Sequence, residues 1–537
     1  MIVDLEKDDL PQQIDADICI IGGGPAGITL ALELANTSLD VVLLESGGET
    51  YSVRTQALND GQNVGRDYYM LQHDRVRYLG GTTHHWGGWC VPLTPTDLTT
   101  RDWVPNSGWP IAWEELERYY EPAQRHCELD RLSYEPAEWL GDRYPLLDFA
   151  ADTLENYLYK WSPADPWRPP THFGKVYRDT LASAPNLRVV LHANLTDFDL
   201  NDAVSNVRRV SARTLDGRTL DVQARQFVLA AGGIENPRIL LNANRQAPNG
   251  LGNDRGLVGR YFMEHMEGLV AHIHFENARD AQWLASYQKR MPENERVSVA
   301  AAIRTSPAAQ QRLQILNTGM VLQANVDSTS GYVAAKRLAT SVLDGRGSDV
   351  VADAANVVTD LDEVAKWLYH RQRGTQYEFP VTADPADVWV NAEQSPDPSS
   401  RVTLCDDRDE LGLRKAALDW RLCEQDKRTL IESVKLLGEE LARTRRVRVQ
   451  MNEWLAADGD DLPDDELVGG HHHMGTTRMA DSPEFGVVDA DCCVHGIDNL
   501  YVAGSSVFPT GGYANPTLTI VALAVRLAGR LQSVSRG

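Results

Sequence analysis

Three consecutive histidines, His471, His472 and His473, stand inside GGHHHMGTTRM at 469–479. Imidazole is the side chain whose proton affinity suits acid–base work near neutral pH. A three-histidine zinc site competes with that reading, but consecutive residues rarely converge on one metal. A terminal tag is excluded because the run is internal. A second pair, His84 and His85, lies in RVRYLGGTTHHWGGWC, from Arg75 to Cys90. Adjacent side chains on an extended segment point to opposite faces, which argues against a metal there as well. The seven cysteines are odd in number, scattered, and without a CxxC spacing, which speaks against a disulfide framework. The adjacent Cys492 and Cys493 read as core or surface thiols rather than as a redox pair.

The elements that must position such groups begin near the N-terminus. DICIIG at 17–22 is a short β-branched run, GGGPAG follows at 22–27, and ITLALELAN continues with apolar residues at helical spacing. That pattern predicts strand, tight glycine turn and helix. Gly22 permits the turn, Gly24 lets the backbone approach a pyrophosphate, and Gly27 lets the helix lie close to the strand. The helix N-terminus then offers free N–H groups and its dipole to phosphate. The next strand, VVLLE at 41–45, ends in Glu45, 18 residues beyond Gly27, where a carboxylate can accept from ribose hydroxyls. This is a complete dinucleotide-binding βαβ unit, which by itself leaves FAD and NAD open. QFVLAAGGIENPRILL at 226–241 again reads strand, glycine turn and helix, with Gly232 in the turn.

The stretch from Arg75 to Cys90 is a poor strand and a poor helix, and is predicted to be a buried or ligand-facing loop. Its glycines, Gly81 among them, let backbone lie against a flat ring, and the Thr82 and Thr83 hydroxyls can donate to pyrophosphate or ring oxygens. This loop resembles the Gly-Gly-Ser-Thr segment that runs along the flavin in the glucose-methanol-choline (GMC) family of FAD-dependent oxidoreductases. The 226–241 segment likewise resembles the second nucleotide-contacting strand of two-dinucleotide flavoproteins. In covalently flavinylated GMC members a histidine falls at the sixth position of the loop, which here is His85. The His85-Trp86 pair looks like the pyranose oxidase version. The resemblance admits both a histidyl–FAD bond at His85 and FAD held without one, with His84 as a packed neighbour.

The C-terminal stretch resembles the GMC signature more fully: a histidine three residues before Gly-Thr, a strand ending near Gly-Ser, a proline-containing turn and a last helix. Counting back from Gly475-Thr476, the resemblance implies His472 as the first catalytic residue and Asn515, in YANPTLTI, as the second. A neutral imidazole can accept the alcohol proton as hydride departs, and an amide can hold the hydroxyl in line without competing as an acid. Gly504 and Ser505 would border the FAD pyrophosphate or ribityl chain. The helix from about Thr517 would bring N–H groups and a dipole to the reduced ring. The implied reaction is oxidation of a CH–OH group by hydride transfer to flavin N5, on a sugar, glycoside or aminosugar-type hydroxyl. A non-sugar natural-product alcohol and a GMC-type lyase with structural FAD are the alternatives. The partners implied are a small-molecule alcohol and an electron acceptor, either O2, a quinone or a protein.

With 52 basic against 76 acidic residues the formal charge is -24, so the mean surface field repels nucleic acid and would attract a cationic substrate such as an aminosugar. The acidic start MIVDLEKDDLPQQ lacks the features of a secretory signal, and no run of about eighteen apolar residues occurs, so a cytoplasmic protein without a membrane segment is expected. The fold class expected is α/β: a Rossmann-like, two-dinucleotide FAD domain from residues 1–100, 185–265 and 467–537. An antiparallel-sheet substrate domain is expected from 101–184 and 266–466. Residues 297–304, 314–325 and 387–404 read as its strands, 331–370 as helices broken at DGRGS, and 424–444 as an amphipathic packing helix.

Overall fold

The computed structural model describes residues 1–142, 144–164, 168–276, 278–291, 295–324, 331, 333–335, 337, 338, 350–372, 385–445, 447–456 and 462–535. The first glycine turn sits at the centre of an eight-stranded sheet. Its order is β1 (Ile2–Asp4), β7 (Leu187–Leu191), β3 (Val41–Leu44), β2 (Gln13–Ile21), β10 (Thr219–Leu229), β9 (Val207–Arg213) and β8 (Asn194–Leu200), with β19 (Leu500–Val502) also paired to β10. From β1 to β10, and on to β19, the pairs are parallel; β10, β9 and β8 are antiparallel. The central strands are covered on both faces, which is why Cys19, Ile20 and Ile21 of β2 and Val228 and Leu229 of β10 are all buried and apolar. Strand β2 begins four residues before the predicted Asp17, because its pairing with β10 runs out to Gln13 opposite Asp221.

Helix α1 (Pro25–Leu34) follows the turn. It packs on the C-terminal helix α6 (Thr517–Ser535), which also contacts the helix Tyr120–His126. Helix α6 is long and apolar enough to cross a membrane by length and composition, with a mean hydropathy of 1.3. Here most of it is buried in the core against α1, and the Tyr120 hydroxyl meets Thr519 Oγ1 at 2.9 Å.

The second sheet has the order β17 (Val447–Met451), β11 (Met266–Phe275), β14 (Ala386–Ala392), β13 (Thr318–Ala324), β12 (Ser298–Thr305), β6 (Leu154–Trp161) and β5 (Trp89–Cys90), with β18 (Leu467–Gly469) on β11. It is antiparallel throughout. A small third sheet joins β15 (Arg401–Arg408), β16 (Arg414–Asp419) and β4 (Gly61–Asn63). The segment predicted as strand over 387–404 is therefore two strands in different sheets. Pro396 and Pro398, which have no N–H to donate, lie in the break. The sheets also cross the expected division of the chain. Strands β4 and β5, within 1–100, and β18, at the start of 467–537, join the second and third sheets rather than the nucleotide sheet.

Helix α5 (Glu424–Thr444) buries Leu430, Val434, Leu437 and Leu441, the stripe that the spacing predicts, against the second sheet. Of the 331–370 segment, α3 (Val350–Thr359) and α4 (Leu361–Gln372) are described and turn Val358, Leu361, Leu368 and Tyr369 outward. The DGRGS break lies outside the described residues.

Candidate active site

The cleft between the two large sheets has two contiguous ends that share Thr82, Gly232, His473 and Ser505. The first is built mainly from backbone. Gly22 has φ 112°, and a Cβ there would lie 2.5 Å from the Ala230 carbonyl oxygen at the end of β10. A Cβ on Gly27 would lie 1.9 Å from the Gly22 oxygen, so the helix can sit on the strand only with glycine at this position. Gly24, the N-cap of α1, has no side chain to close the helix end, and a Cβ there would point into open space. Gly232 and Gly504 are equally open. These three glycines line or border the same cleft end and leave backbone accessible to a ligand.

Glu45 follows β3 and lines this end. Its Oε2 accepts from Gly23 N and its Oε1 from Gly47 N, both at 2.7 Å. The carboxylate thus fixes the glycine turn itself, and only its remaining lone pairs are left for a ribose. Burial raises its pKa above the ordinary carboxylate value, against the pull of those two N–H groups. Gly81 has φ 53° and packs against Gly24, where a Cβ would come within 2.9 Å of the Gly24 Cα. The segment Gly81–His84 is a single 3₁₀ turn. Thr82 lines both ends of the cleft, but the Thr83 hydroxyl donates to Gly80 O at 2.6 Å and accepts from Phe173 N at 3.1 Å. This corrects the expectation for Thr83: its proton holds the turn together and is not offered to a ligand.

The second end is a cavity of about 900 Å³. His85, exposed, and Trp86 form part of its wall, while His84 stacks on Tyr78 and bonds the Leu79 carbonyl. His472, Asn515 and Thr517 meet here. Thr517 opens α6, and Ser505 Oγ donates to the His473 carbonyl at 2.6 Å. Thr476 Oγ1 donates to Gly233 O at 2.5 Å, tying the second glycine turn to the histidine segment.

The protonation of His472 can be followed bond by bond. His265 Nε2 lies 2.9 Å from the Gly512 carbonyl, which can only accept, so that nitrogen carries the proton. Burial lowers the His265 pKa to about 4, so the ring is neutral and its Nδ1 is a bare acceptor. His472 Nδ1 lies 2.9 Å from that atom and must therefore be the donor. His472 Nε2 is left as a lone pair, 3.4 Å from Asn515 Nδ2. Burial, with neighbouring His265, His471 and His473 adding to it, keeps the His472 pKa well below the ordinary 6.5. The result is a neutral imidazole that presents an acceptor to the cavity beside an amide whose Oδ1 is buried and unpartnered.

The other two histidines take separate partners. His471 stacks on Tyr69 with ring centroids 4.0 Å apart. His473 meets Tyr68 Oη at 2.9 Å and Asp74 Oδ2 at 3.2 Å, and the Asp74 and Glu264 carboxylates raise its pKa despite burial. Glu264 accepts from Tyr68 Oη at 2.5 Å and, through Oε2, from His472 N at 2.7 Å, so it anchors the base through its backbone. Burial pushes Glu264 up to about 7. The sequence reading missed Tyr68, Asp74, Glu264, His265 and Glu267. The run EHME at 264–267, ionisable groups among apolar flanks at the start of a buried strand, was the available signal.

The residues fit FAD. One extended cleft joins an end of open glycines and helix N–H groups to an end with a neutral base, as an elongated dinucleotide requires. Gly24, Gly232, Gly504 and Ser505 would hold its phosphate-bearing part. Bound there, FAD supplies the two-electron acceptor for a hydride leaving a carbon held in the larger cavity. At that end the chain itself offers an amide, Asn515, that could orient a hydroxyl and a bare nitrogen, His472 Nε2, that could take its proton.

Residues 396–524 match the family described as GMC oxidoreductase, and residues 17–248 match FAD dependent oxidoreductase. Full-length similarity extends to the 2-methyl-1,2-propanediol dehydrogenase of Mycolicibacterium austroafricanum, 24% identical over 95% of this chain and 94% of that one. It extends also to the fructose dehydrogenase large subunit of Gluconobacter japonicus, at 23%, 96% and 98%, and to the paromamine 6'-oxidase of Streptomyces fradiae, at 26%, 95% and 90%. Among solved structures, a formate oxidase of Aspergillus oryzae shares the fold with a TM-score of 0.57 at 18% identity, covering 98% of this chain and 99% of that one. Pyridoxine 4-oxidase from Mesorbium loti shares it with a TM-score of 0.54 at 18% identity, covering 96% and 99%. With a cleft that fits FAD and a histidine–asparagine pair at its far end, the chain combines an FAD-dependent oxidoreductase domain with a GMC oxidoreductase C-terminal domain and is an FAD-dependent oxidoreductase.

Proposed function

We propose that the enzyme oxidises a CH–OH group of a sugar, glycoside or aminosugar to the carbonyl, with His472 as the base and Asn515 as the group that orients the hydroxyl. The observation that carries this reading is the chain Gly512 O, His265, His472, Asn515, which leaves an unprotonated Nε2 facing the cavity. The named relatives that support a carbohydrate include enzymes for fructose, paromamine, 6'''-hydroxyparomomycin C and C-glycosides. Proton removal at His472 Nε2 and loss of hydride from the same carbinol leave a C=O bond, and neither step needs a metal ion. The electrons pass on to O2, a quinone or a protein acceptor.

The test is to incubate the purified holoenzyme with sugars, glycosides, aminosugars and simple alcohols and to follow product mass. A carbohydrate product that has lost two hydrogens, formed in proportion to acceptor consumed, is expected. Turnover confined to simple alcohols would overturn the substrate class. FAD that no alcohol reduces would favour a lyase reaction on the same fold.

A further inference from the structure

The larger end of the cleft carries an acid that the proton chain does not use. Glu267 is the second residue of β11 and stands opposite Asn391 of β14. Both line the cavity, since residues directly opposite on paired strands share a face. Trp389, two residues before Asn391 on β14, lines it too, together with Trp89 and Tyr159. The Glu267 carboxylate flanks the catalytic histidine: a Cβ built on Gly470 would lie 2.5 Å from Glu267 Oε1 and 2.8 Å from His472 Nδ1. Among the described residues the Glu267 side chain has no hydrogen bond and no ion pair, although its backbone is paired within the sheet. No lysine or arginine among them lines this cavity, although Arg75, Arg77 and Arg238 line the nucleotide end.

We propose that Glu267 is the anchor for a protonated amino group on the substrate, so that the preferred alcohols are amino-bearing sugars or polyols whose ammonium sits between this carboxylate and the aromatic wall. The proposal rests on the alcohol-oxidation reading above and narrows its substrate class. A carboxylate largely withdrawn from water and without a countercharge is costly unless a partner arrives. Burial, with repulsion from Glu264, pushes Glu267 up to about 7, and nothing around it pulls the value back down. An ammonium supplies that missing charge through charge-assisted hydrogen bonds, and the faces of Trp89, Trp389 and Tyr159 attract the same cation. The net charge of -24 adds long-range attraction of the same sign. Seated beside His472, the amine would fix which neighbouring hydroxyl reaches Nε2.

The experiment compares wild-type holoenzyme with Glu267→Gln on two probes that differ by one group, 2-amino-2-deoxyglucose and glucose. Calorimetry with cyclohexylammonium, which carries the charge without a hydroxyl, runs alongside. Wild type is expected to prefer the amino sugar by about tenfold or more in kcat/KM. In Glu267→Gln that preference should fall below about threefold, mainly through KM, with cyclohexylammonium binding weakened about tenfold or more. Glu267→Asp, which keeps the charge, should retain part of both effects while the flavin spectrum stays unchanged. An unchanged preference, an equal loss of kcat on both sugars, or cyclohexylammonium that binds both proteins alike or neither would overturn the proposal. If neither sugar reduces the flavin, the carbohydrate reading falls, and the calorimetric comparison still decides the role of Glu267.

Discussion

The two ends of the cleft solve different problems with different materials. The nucleotide end is made by glycines that remove Cβ atoms, by a bare helix N-terminus, and by a carboxylate whose two oxygens hold backbone N–H groups. The reaction end is made by side chains, several of them ionisable, buried, and far from their ordinary proton affinities. Backbone recognition comes with the local turn and tolerates change around it. Side-chain chemistry needs distant segments held in register, because a donor or acceptor misplaced by one bond changes which nitrogen bears the proton.

Disrupting the first end should remove the cofactor and with it the whole enzyme. Gly27→Val places a side chain where only 1.9 Å separates an added Cβ from the Gly22 carbonyl, so purification should yield protein without flavin or no soluble protein at all. A yellow, active Gly27→Val protein would break the contrast. Disrupting the second end should spare the flavin and lower the rate. His265→Leu removes the acceptor that holds His472 in its tautomer, and flavin reduction should slow by about ten- to a hundredfold with KM little changed. A change in KM alone would mean that His265 only packs.

The pH profile sharpens the same point. The base works as the neutral imidazole, and its folded-state pKa lies well below 6.5, so activity is lost only as pH falls past that lowered value. With saturating glucose, which carries no amine for Glu267 to hold, flavin reduction in wild type should stay flat from about pH 8 down to about pH 6. A half-fall near 6.5 would mark an ordinary, unperturbed histidine. The smallest effect is expected from Glu45→Gln, whose amide oxygen can keep one of the two N–H partners. Losing the other costs about 1–3 kcal/mol, and flavin binding, measured by dialysis, should weaken about tenfold.

The contrast also governs what the sequence could reveal. Strand, glycine turn, helix and Glu45 lie within one stretch of chain, and Gly27 meets the Gly22 carbonyl that the motif itself supplies, although Gly22 meets Ala230 at the end of the distant β10. Asn515 and His472 were found through the order of the C-terminal segment. His265 was not, because it reaches His472 from 207 positions away. What brings them together is a pair of backbone bonds between Met263 and Met474 and a third from Gly470 N to His265 O, none of which leaves a periodic trace. The error at Thr83 has the same origin: its hydroxyl is satisfied by Phe173 N, a partner 90 residues on. The division of 387–404 into two strands was marked locally by its two prolines, but the assignment of β15 to a separate sheet depends on β16 and β4.

The central claim is that His472 Nε2 receives the hydroxyl proton of an alcohol whose hydride FAD, held in the cleft, would accept. The most direct measurement is the anaerobic rate of flavin bleaching by a carbohydrate alcohol that the enzyme turns over, in wild type and in His472→Ala with matched flavin content. The account predicts rapid bleaching in wild type and a rate lowered about a thousandfold in the variant, within the range expected for loss of a general base. Equal rates in the two proteins would contradict it.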